Sequence, residues 1–332
     1  MKFLVTGGSG FIGTNLVEKL IAKGAQIINV DTTAPYKKSH EKYWTKLSIL
    51  DKDSLLEVFQ KEQPEFVIHL AARTDTDPIN KLEDYVVNTD GTNNLLEAIK
   101  SVNSVKHTII TSTQFVHQYK GFPKDDTDYA PHTIYGESKV ISEKLTRSAD
   151  LKCNWTIIRP TNIWGPWHLR YPYEFWKVLA QGLYIHPGKQ KVMRSYGYVG
   201  NVVHQILTIL EKSPELVHQQ VFYVGDAPLN LLDWVNQFSI NQIGKKVKVV
   251  PRFLIKTIAL TGDVLKVVGL NFPITTSRYK SMTTSNDAPM QKTFDVLGNS
   301  PISLEMGVEE TIEWLKEEHP SLIKVSETKN NS

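Results

Sequence analysis

Apolar residues along this chain gather into short blocks separated by longer segments of helical period. Phe3-Leu4-Val5, Ile27-Ile28-Asn29-Val30 and residues 66–70, 108–111 and 155–158 are runs with no regular polar alternation, as in strands buried on both faces. Between them, residues 11–20, 54–61, 91–100 and 135–147 repeat apolar side chains at helical spacing. Strand and helix in alternation predict an α/β fold, a doubly wound parallel sheet whose site lies outside the C-terminal strand ends. After Pro160 the pattern changes. Trp, Tyr, Pro and Gly crowd residues 164–188, followed by a helix at 202–211, a strand at 221–225 and a closing helix at 306–316. The expected division is a dinucleotide-binding domain over 1–163 with re-entry near 199–225. A smaller mixed α/β lobe takes 164–198 and 226–325, and 326–332 is a disordered polar tail.

The break after the first strand carries the candidate chemistry. Gly7, Gly10 and Gly13 are spaced G-x-x-G-x-x-G between a strand and a helix. The first glycine permits a positive φ, the second lets a pyrophosphate approach the backbone, and the third lets helix pack on strand. The helix N-terminus then offers N–H donors to the phosphates. The second strand ends in Asp31, where a carboxylate meets adenosine ribose hydroxyls and repels a 2′-phosphate. Thr32 and Thr33 follow in place of arginine, which favours NAD over NADP.

Tyr135 and Lys139 stand four residues apart at the start of a predicted helix, so both project from one face. A free phenol has a pKa of about 10, and about 4 kcal/mol of differential stabilisation brings it to neutral pH. A lysine ammonium beside it and a positively charged nicotinamide ring supply that stabilisation. Where the fourth strand ends, Ser112 and Thr113 offer a hydroxyl that can bond the reacting oxygen.

These motifs, in this order, resemble the extended short-chain dehydrogenase/reductases, specifically the NAD-dependent epimerase/dehydratase family of nucleotide-sugar enzymes. The likeness spans Thr6 to Gly13, Asp31, His69-Leu70-Ala71-Ala72, Asn88 with Gly91-Thr92, Ser112-Thr113, Tyr135 to Lys139 and Arg159-Pro160-Thr161-Asn162. Late in the chain it takes in Leu297-Gly298 and the segment from Ser303 to Leu315. The resemblance implies a Rossmann-type sheet. It also implies that Gly7, Gly10, Phe11 and Ile12 hold the pyrophosphate, that Asp31 holds the ribose, and that Leu70, Ala71, Ala72 and Asn88 line the cofactor cleft. Tyr135, Lys139 and Thr113 become the catalytic set, with Tyr135 and Lys139 also on the nicotinamide ribose. Asn162, Arg194 and Arg278 would contact the sugar nucleotide, the arginines gripping its diphosphate, and a homodimer would form through the helices at 91–100 and 135–147.

Departures from the family pattern narrow the chemistry. Ser48 stands where an Asp often contacts adenine, which leaves that contact to the Ile49 backbone. His117-Gln118 replaces Tyr-Gly, and Gly200-Asn201 replaces Asp-Asp, a variant also seen in the hydroxysteroid-dehydrogenase branch. Gln114-Phe115 replaces the Asp-Glu pair with which 4,6-dehydratases eliminate water, so dehydration is disfavoured. The expected activity is NAD-dependent C4 epimerisation of a UDP-hexose or its N-acetyl or uronic derivative. The alternatives are a net NAD-dependent dehydrogenase of a steroid-like or other non-nucleotide alcohol and an NAD-binding protein without catalysis.

Composition trims the remaining classes. The chain is 41% hydrophobic and 22% charged, as in soluble globular proteins. Its +3 charge shows no basic run that would suit nucleic acid. The histidines lack metal-ligand spacing, so no metal is expected. Cys153 is the single cysteine, and the start on a strand leaves no room for a signal peptide, so a cytoplasmic protein is expected and the sequons at Asn154 and Asn330 are accidental. Residues 253–270 are apolar but are interrupted by Lys256, Asp263 and Lys266. That argues against a membrane span and for an amphipathic helix packed on the second lobe, the alternative being a helix on a membrane surface.

Overall fold

The computed structural model describes residues 1–323 apart from 78, 118–120, 170–174 and 268–273. The expected tail at 326–332 and the Gln118 departure lie outside the described residues. Thirteen strands and twelve helices follow one another among them. The strands are Lys2–Thr6 (β1), Gln26–Asp31 (β2), Trp44–Lys46 (β3), Phe66–His69 (β4), His107–Thr111 (β5), Asn154–Pro160 (β6), Asn162–Trp164 (β7), Ile185–Pro187 (β8), Met193–Arg194 (β9), Tyr196–Tyr198 (β10), Gln220–Val224 (β11), Leu229–Asn230 (β12) and Lys248–Val250 (β13). The helices are Phe11–Ala22 (α1), Lys52–Glu62 (α2), Val86–Lys100 (α3), Ile134–Ser148 (α4), Lys177–Ala180 (α5), Val199–Glu211 (α6), Pro214–Val217 (α7), Leu231–Ile243 (α8), Arg252–Val267 (α9), Thr276–Thr283 (α10), Gln291–Leu297 (α11) and Leu304–Glu318 (α12).

Seven strands form one parallel sheet in the order β11-β6-β5-β4-β1-β2-β3. Its strands read as near-continuous apolar runs because both faces are covered. Phe3, Val5, Ile68, Ile109 and Phe222 point to a core shared with α1 and α6. Leu4, Val67, Ile110, Ile157 and Val221 point to the opposite core, shared with α2 and α3. The chain runs outward from β1 to β2 and β3, then returns to β4 on the other side. That reversal opens a crevice at the C-terminal ends of β1 and β4, where ligands bind in such sheets.

The chain divides into two compact units. The first comprises residues 1–167, 197–226 and 288–301, and the second 168–196, 227–287 and 302–332. This differs from the expected division at residues 164–167, 197–198, 226 and 288–301, which lie in the first unit, and α11 is among them. Thr293 there donates its hydroxyl to Tyr223 O on β11 at 2.5 Å. The second unit is built on an aromatic core, in which Trp234 stacks on Phe175 (5.0 Å between centroids) and meets Phe238 edge-on (4.9 Å).

Candidate active site

The glycine loop meets the β4 loop across the crevice. Gly7 has φ +74°, and a Cβ on it would lie 2.5 Å from Ala71 N, so both conformation and close approach require glycine. A Cβ on Gly13 would lie 2.2 Å from Gly7 O, the close helix–strand packing expected of the third glycine. Gly10 differs: its Cβ would meet only Gly7 O, at 3.3 Å, which leaves room for a ligand rather than for protein. Gly10 also caps α1 without a side-chain acceptor, and the first turn, with Phe11 and Ile12, carries no acid. A diphosphate fits this cradle, since the donors of the first turn face no competing carboxylate.

Asp31, at the end of β2, accepts from Ser9 N at 3.1 Å and from Thr33 N at 2.9 Å, which fixes its carboxylate beside the loop. Leu70 N is held by Thr6 O at 2.9 Å and Ala71 N by Thr6 Oγ1 at 3.4 Å. Asn88 is fully buried. Its amide donates to Arg73 O and Ser138 Oγ and accepts from Arg73 N, all at 2.9 Å, so it shapes the backbone beyond Ala72 with both amide protons already used on protein. Ile49 is buried against Gly91, and its carbonyl accepts from Asn94 Nδ2 at 3.1 Å. Ser48 accepts from Leu50 N at 3.2 Å and so closes a local turn.

The catalytic candidates gather at the ends of β5 and α4. Thr133 caps α4 by accepting from Gly136 N at 3.0 Å. A Cβ on Gly136 would lie 2.4 Å from Phe115 O, so glycine lets the first turn of α4 press against the segment after Thr113. Tyr135 is thereby buried, with its ring 6.4 Å from Phe115 and 6.3 Å from Tyr85. The Thr113 hydroxyl accepts from Phe115 N at 3.3 Å. Lys139, one turn along, is 1% exposed and donates Nζ to Thr111 O at 2.8 Å. Burial pulls its pKa down from 10.5 to about 8, and nearby Glu143 pulls the other way. Neighbouring His69 is held neutral, its pKa lowered to about 3 by burial and by the Lys139 charge. Thr6 Oγ1 lies 2.7 Å from its Nδ1, and Thr92 Oγ1 lies 3.2 Å from its Nε2.

Two features of the first unit escape the sequence reading. Behind Lys139, Glu143 continues the same helix face and accepts from Arg159 Nε (2.9 Å) and Nη2 (2.8 Å), Ser112 Oγ (2.5 Å) and Tyr129 OH (2.9 Å). Ser112 is thus committed to this buried network, which distinguishes it from Thr113. An acid four residues after Lys139 was the available signal. The second feature is a stack of Tyr36 on Trp167, 5.8 Å between centroids. Lys37 and His40 tie one loop to Glu18 of α1, both at 2.7 Å, while Asn15 donates to Pro166 O of the other at 3.0 Å. Trp167 adopts φ +70°.

The remaining candidates fall into separate units. Asn162 begins β7 in the first unit, half-buried. Asn201 is buried there and donates to Asp226 Oδ1 at 2.8 Å, while Tyr198 N donates to Asp226 Oδ2 at 2.7 Å. In the second unit, buried Arg194 donates Nη2 to Ser281 O on α10, the helix that also carries exposed Arg278. The two arginines therefore converge on one helix.

A model of the NAD dependent epimerase/dehydratase family matches residues 3–225. The chain belongs to this family. NAD is the family's cofactor, in keeping with the glycine cradle and Asp31. The chain is 27% identical over 325 residues to an Escherichia coli O157:H7 N-acetylglucosaminyl-diphospho-undecaprenol 4-epimerase, covering 94% of each protein. It resembles the structure of Thermotoga maritima UDP-glucose 4-epimerase with UDP-glucose (TM-score 0.72, 25% identity), covering 96% of this chain and 99% of that one. The structure of Bacillus cereus UDP-glucuronic acid 4-epimerase shares the fold (TM-score 0.71, 21% identity, 96% and 99% covered).

Proposed function

We propose that this family member is a 4-epimerase of a sugar diphosphate conjugate, with a UDP-hexose or its N-acetyl or uronic derivative as substrate. The observation that carries this reading is the buried trio of Thr113, Tyr135 and Lys139 in the unit that also holds the dinucleotide cradle. Bound NAD supplies the hydride acceptor and, later in the cycle, the donor. Tyr135 takes the proton from the sugar 4-hydroxyl onto its phenolate oxygen, while the Lys139 ammonium stabilises that phenolate. Thr113 donates a hydrogen bond to the oxygen as the ketone forms. After the ketosugar turns, Tyr135 returns the proton to the same oxygen on the other configuration. Neither Gln114 nor Phe115 can transfer the protons of a dehydration. Asn162, Arg194 and Arg278 are proposed to hold the sugar and its diphosphate, the arginines through their forked donors.

A sugar diphosphate on a polyprenyl chain presents the same groups to the arginines as a nucleotide sugar, and the E. coli relative is named for such a substrate. A steroid-like dehydrogenase is not favoured, because Asn201 is accounted for by its bond to Asp226. A homodimer through α3 and α4 and a cytoplasmic location complete the proposal.

NMR of the protein with UDP-hexoses and with a polyprenyl-diphosphate N-acetylhexosamine tests it. A second diastereomer without stoichiometric NADH is expected. Accumulation of NADH with an oxidised product would overturn epimerisation. Tyr135→Phe should lose turnover by at least a thousandfold while retaining NAD, and preserved activity would remove Tyr135 from its role.

A further inference from the structure

Helix α9 is apolar on two faces, and only one of them is packed. Ile255 and Ala259 are fully buried on the inner face. On the outer face Phe253 is 68% exposed, Leu260 53% and Val264 65%, at spacings of seven and four residues that keep them in one stripe. Leu254 flanks it at 43%. Elsewhere the exposed large apolar residues among the described ones stand singly along the sequence.

Charge in the segment that carries this stripe is one-sided. From residue 245 to 266 the sequence carries Lys245, Lys246, Lys248, Arg252, Lys256 and Lys266 against a single carboxylate, Asp263. That carboxylate is turned to the protein, accepting from Thr276 N at 3.2 Å. Lys245, Lys246, Lys248 and Lys256 are exposed, and none is in an ion pair among the described residues. The turn after α8 delivers the first three into β13, and β13 leads through Pro251 into α9. The small net charge of the whole chain thus conceals a cation-rich segment that leads into and along the helix bearing the uncovered apolar stripe.

We propose that α9 and the lysine turn before it dock this protein on an anionic phospholipid surface. An exposed apolar stripe set among cations suits a helix lying in the plane of a membrane interface, its side chains entering the headgroup boundary. Spanning is not implied, since no described helix is long and apolar enough to cross a membrane. The inference stands on exposure and charge, and does not rest on the epimerase reading.

Co-sedimentation of the full chain with phosphatidylglycerol/phosphatidylcholine vesicles, against pure phosphatidylcholine vesicles, tests it. Binding is expected to the anionic vesicles and to weaken as salt rises. Lys245→Gln with Lys246→Gln should reduce the partition coefficient about thirtyfold. Phe253→Ser with Leu260→Ser and Val264→Ser should abolish binding without lowering the melting temperature, because these side chains are already in water. Absence of binding to the anionic vesicles, or equal binding to both kinds, would overturn the proposal. So would a serine variant that turns a dimer into a monomer while the parent ignores vesicles, since a second copy would then cover the stripe. If the serine variant fails to fold, the glutamine variant decides, and undiminished vesicle binding by it overturns the proposal. UDP-hexose turnover in the same samples should be unchanged, and a protein inactive on every sugar would leave the vesicle result standing.

Discussion

An ammonium group with 1% exposure is costly, and Lys139 bears that cost at the centre of the site. Its folded pKa of about 8 lies below the ordinary 10.5, so between those values the unfolded chain binds more protons and stability rises with pH. Lys139→Met, stripped of NAD, should therefore be inactive yet more stable than the parent at pH 7 by up to about 3 kcal/mol. The gap should close as pH approaches 10. Urea midpoints at the two pH values measure it, and an equal gap at both would show that burial of the charge is not the cause. Gly136 is the other decisive residue. Gly136→Ala places a methyl group 2.4 Å from Phe115 O, so α4 and the Thr113 segment must part. We expect a loss of about 1–3 kcal/mol in stability and about a hundredfold in kcat, read from a thermal melt and steady-state rates. Unchanged rates would mean that the hydroxyl position does not depend on this contact.

At the scale of elements, α4 presents the candidate catalytic residues and their anchor on the same face. Tyr135, Lys139 and Glu143 follow at intervals of four, and Glu143 is clamped to Arg159 of β6 by two hydrogen bonds in a fully buried pair. Removing one partner leaves the other charge buried and uncompensated. Glu143→Ala should cost about 3–5 kcal/mol, and Arg159→Met combined with Glu143→Leu should recover much of it. Chemical denaturation of the single and double variants checks this, and additive losses would deny the coupling. The sequence made the Tyr135–Lys139 face legible through helical spacing. It left Glu143 unread because an acid on a helix is usually solvated, and its burial follows only from β6 lying opposite. The sheet strands were legible for the converse reason, because burial on both faces forces an apolar run. The short edge strand β3 and helix α8, whose polar outer positions interrupt the apolar spacing, carry weaker signals and went unread.

Across the whole molecule, buried neutral histidines couple folding to pH. His69 has its pKa lowered to about 3 and His107 to about 4, both chiefly by burial, against 6.5 when unfolded. Below pH 6.5 the unfolded chain binds more protons, so stability falls as pH falls toward those values. Between pH 6.5 and 5 each should cost about 2 kcal/mol, seen as a falling urea midpoint, and a flat midpoint would show that these rings stay protonated in the fold. The sequence by itself determined the parallel α/β sheet, the glycine loop after β1 and the spacing of Tyr135 and Lys139, because these rest on periodicity and on local backbone requirements that neighbouring residues set. Only the tertiary structure decided that Ser112 belongs to the Glu143 network and Thr113 does not. It also decided that Asn201 answers to Asp226, that α11 joins the first unit, and that one apolar face of α9 is uncovered. Those outcomes depend on which distant segments pack together, and that is settled by burial across the fold rather than by the order of residues along the chain.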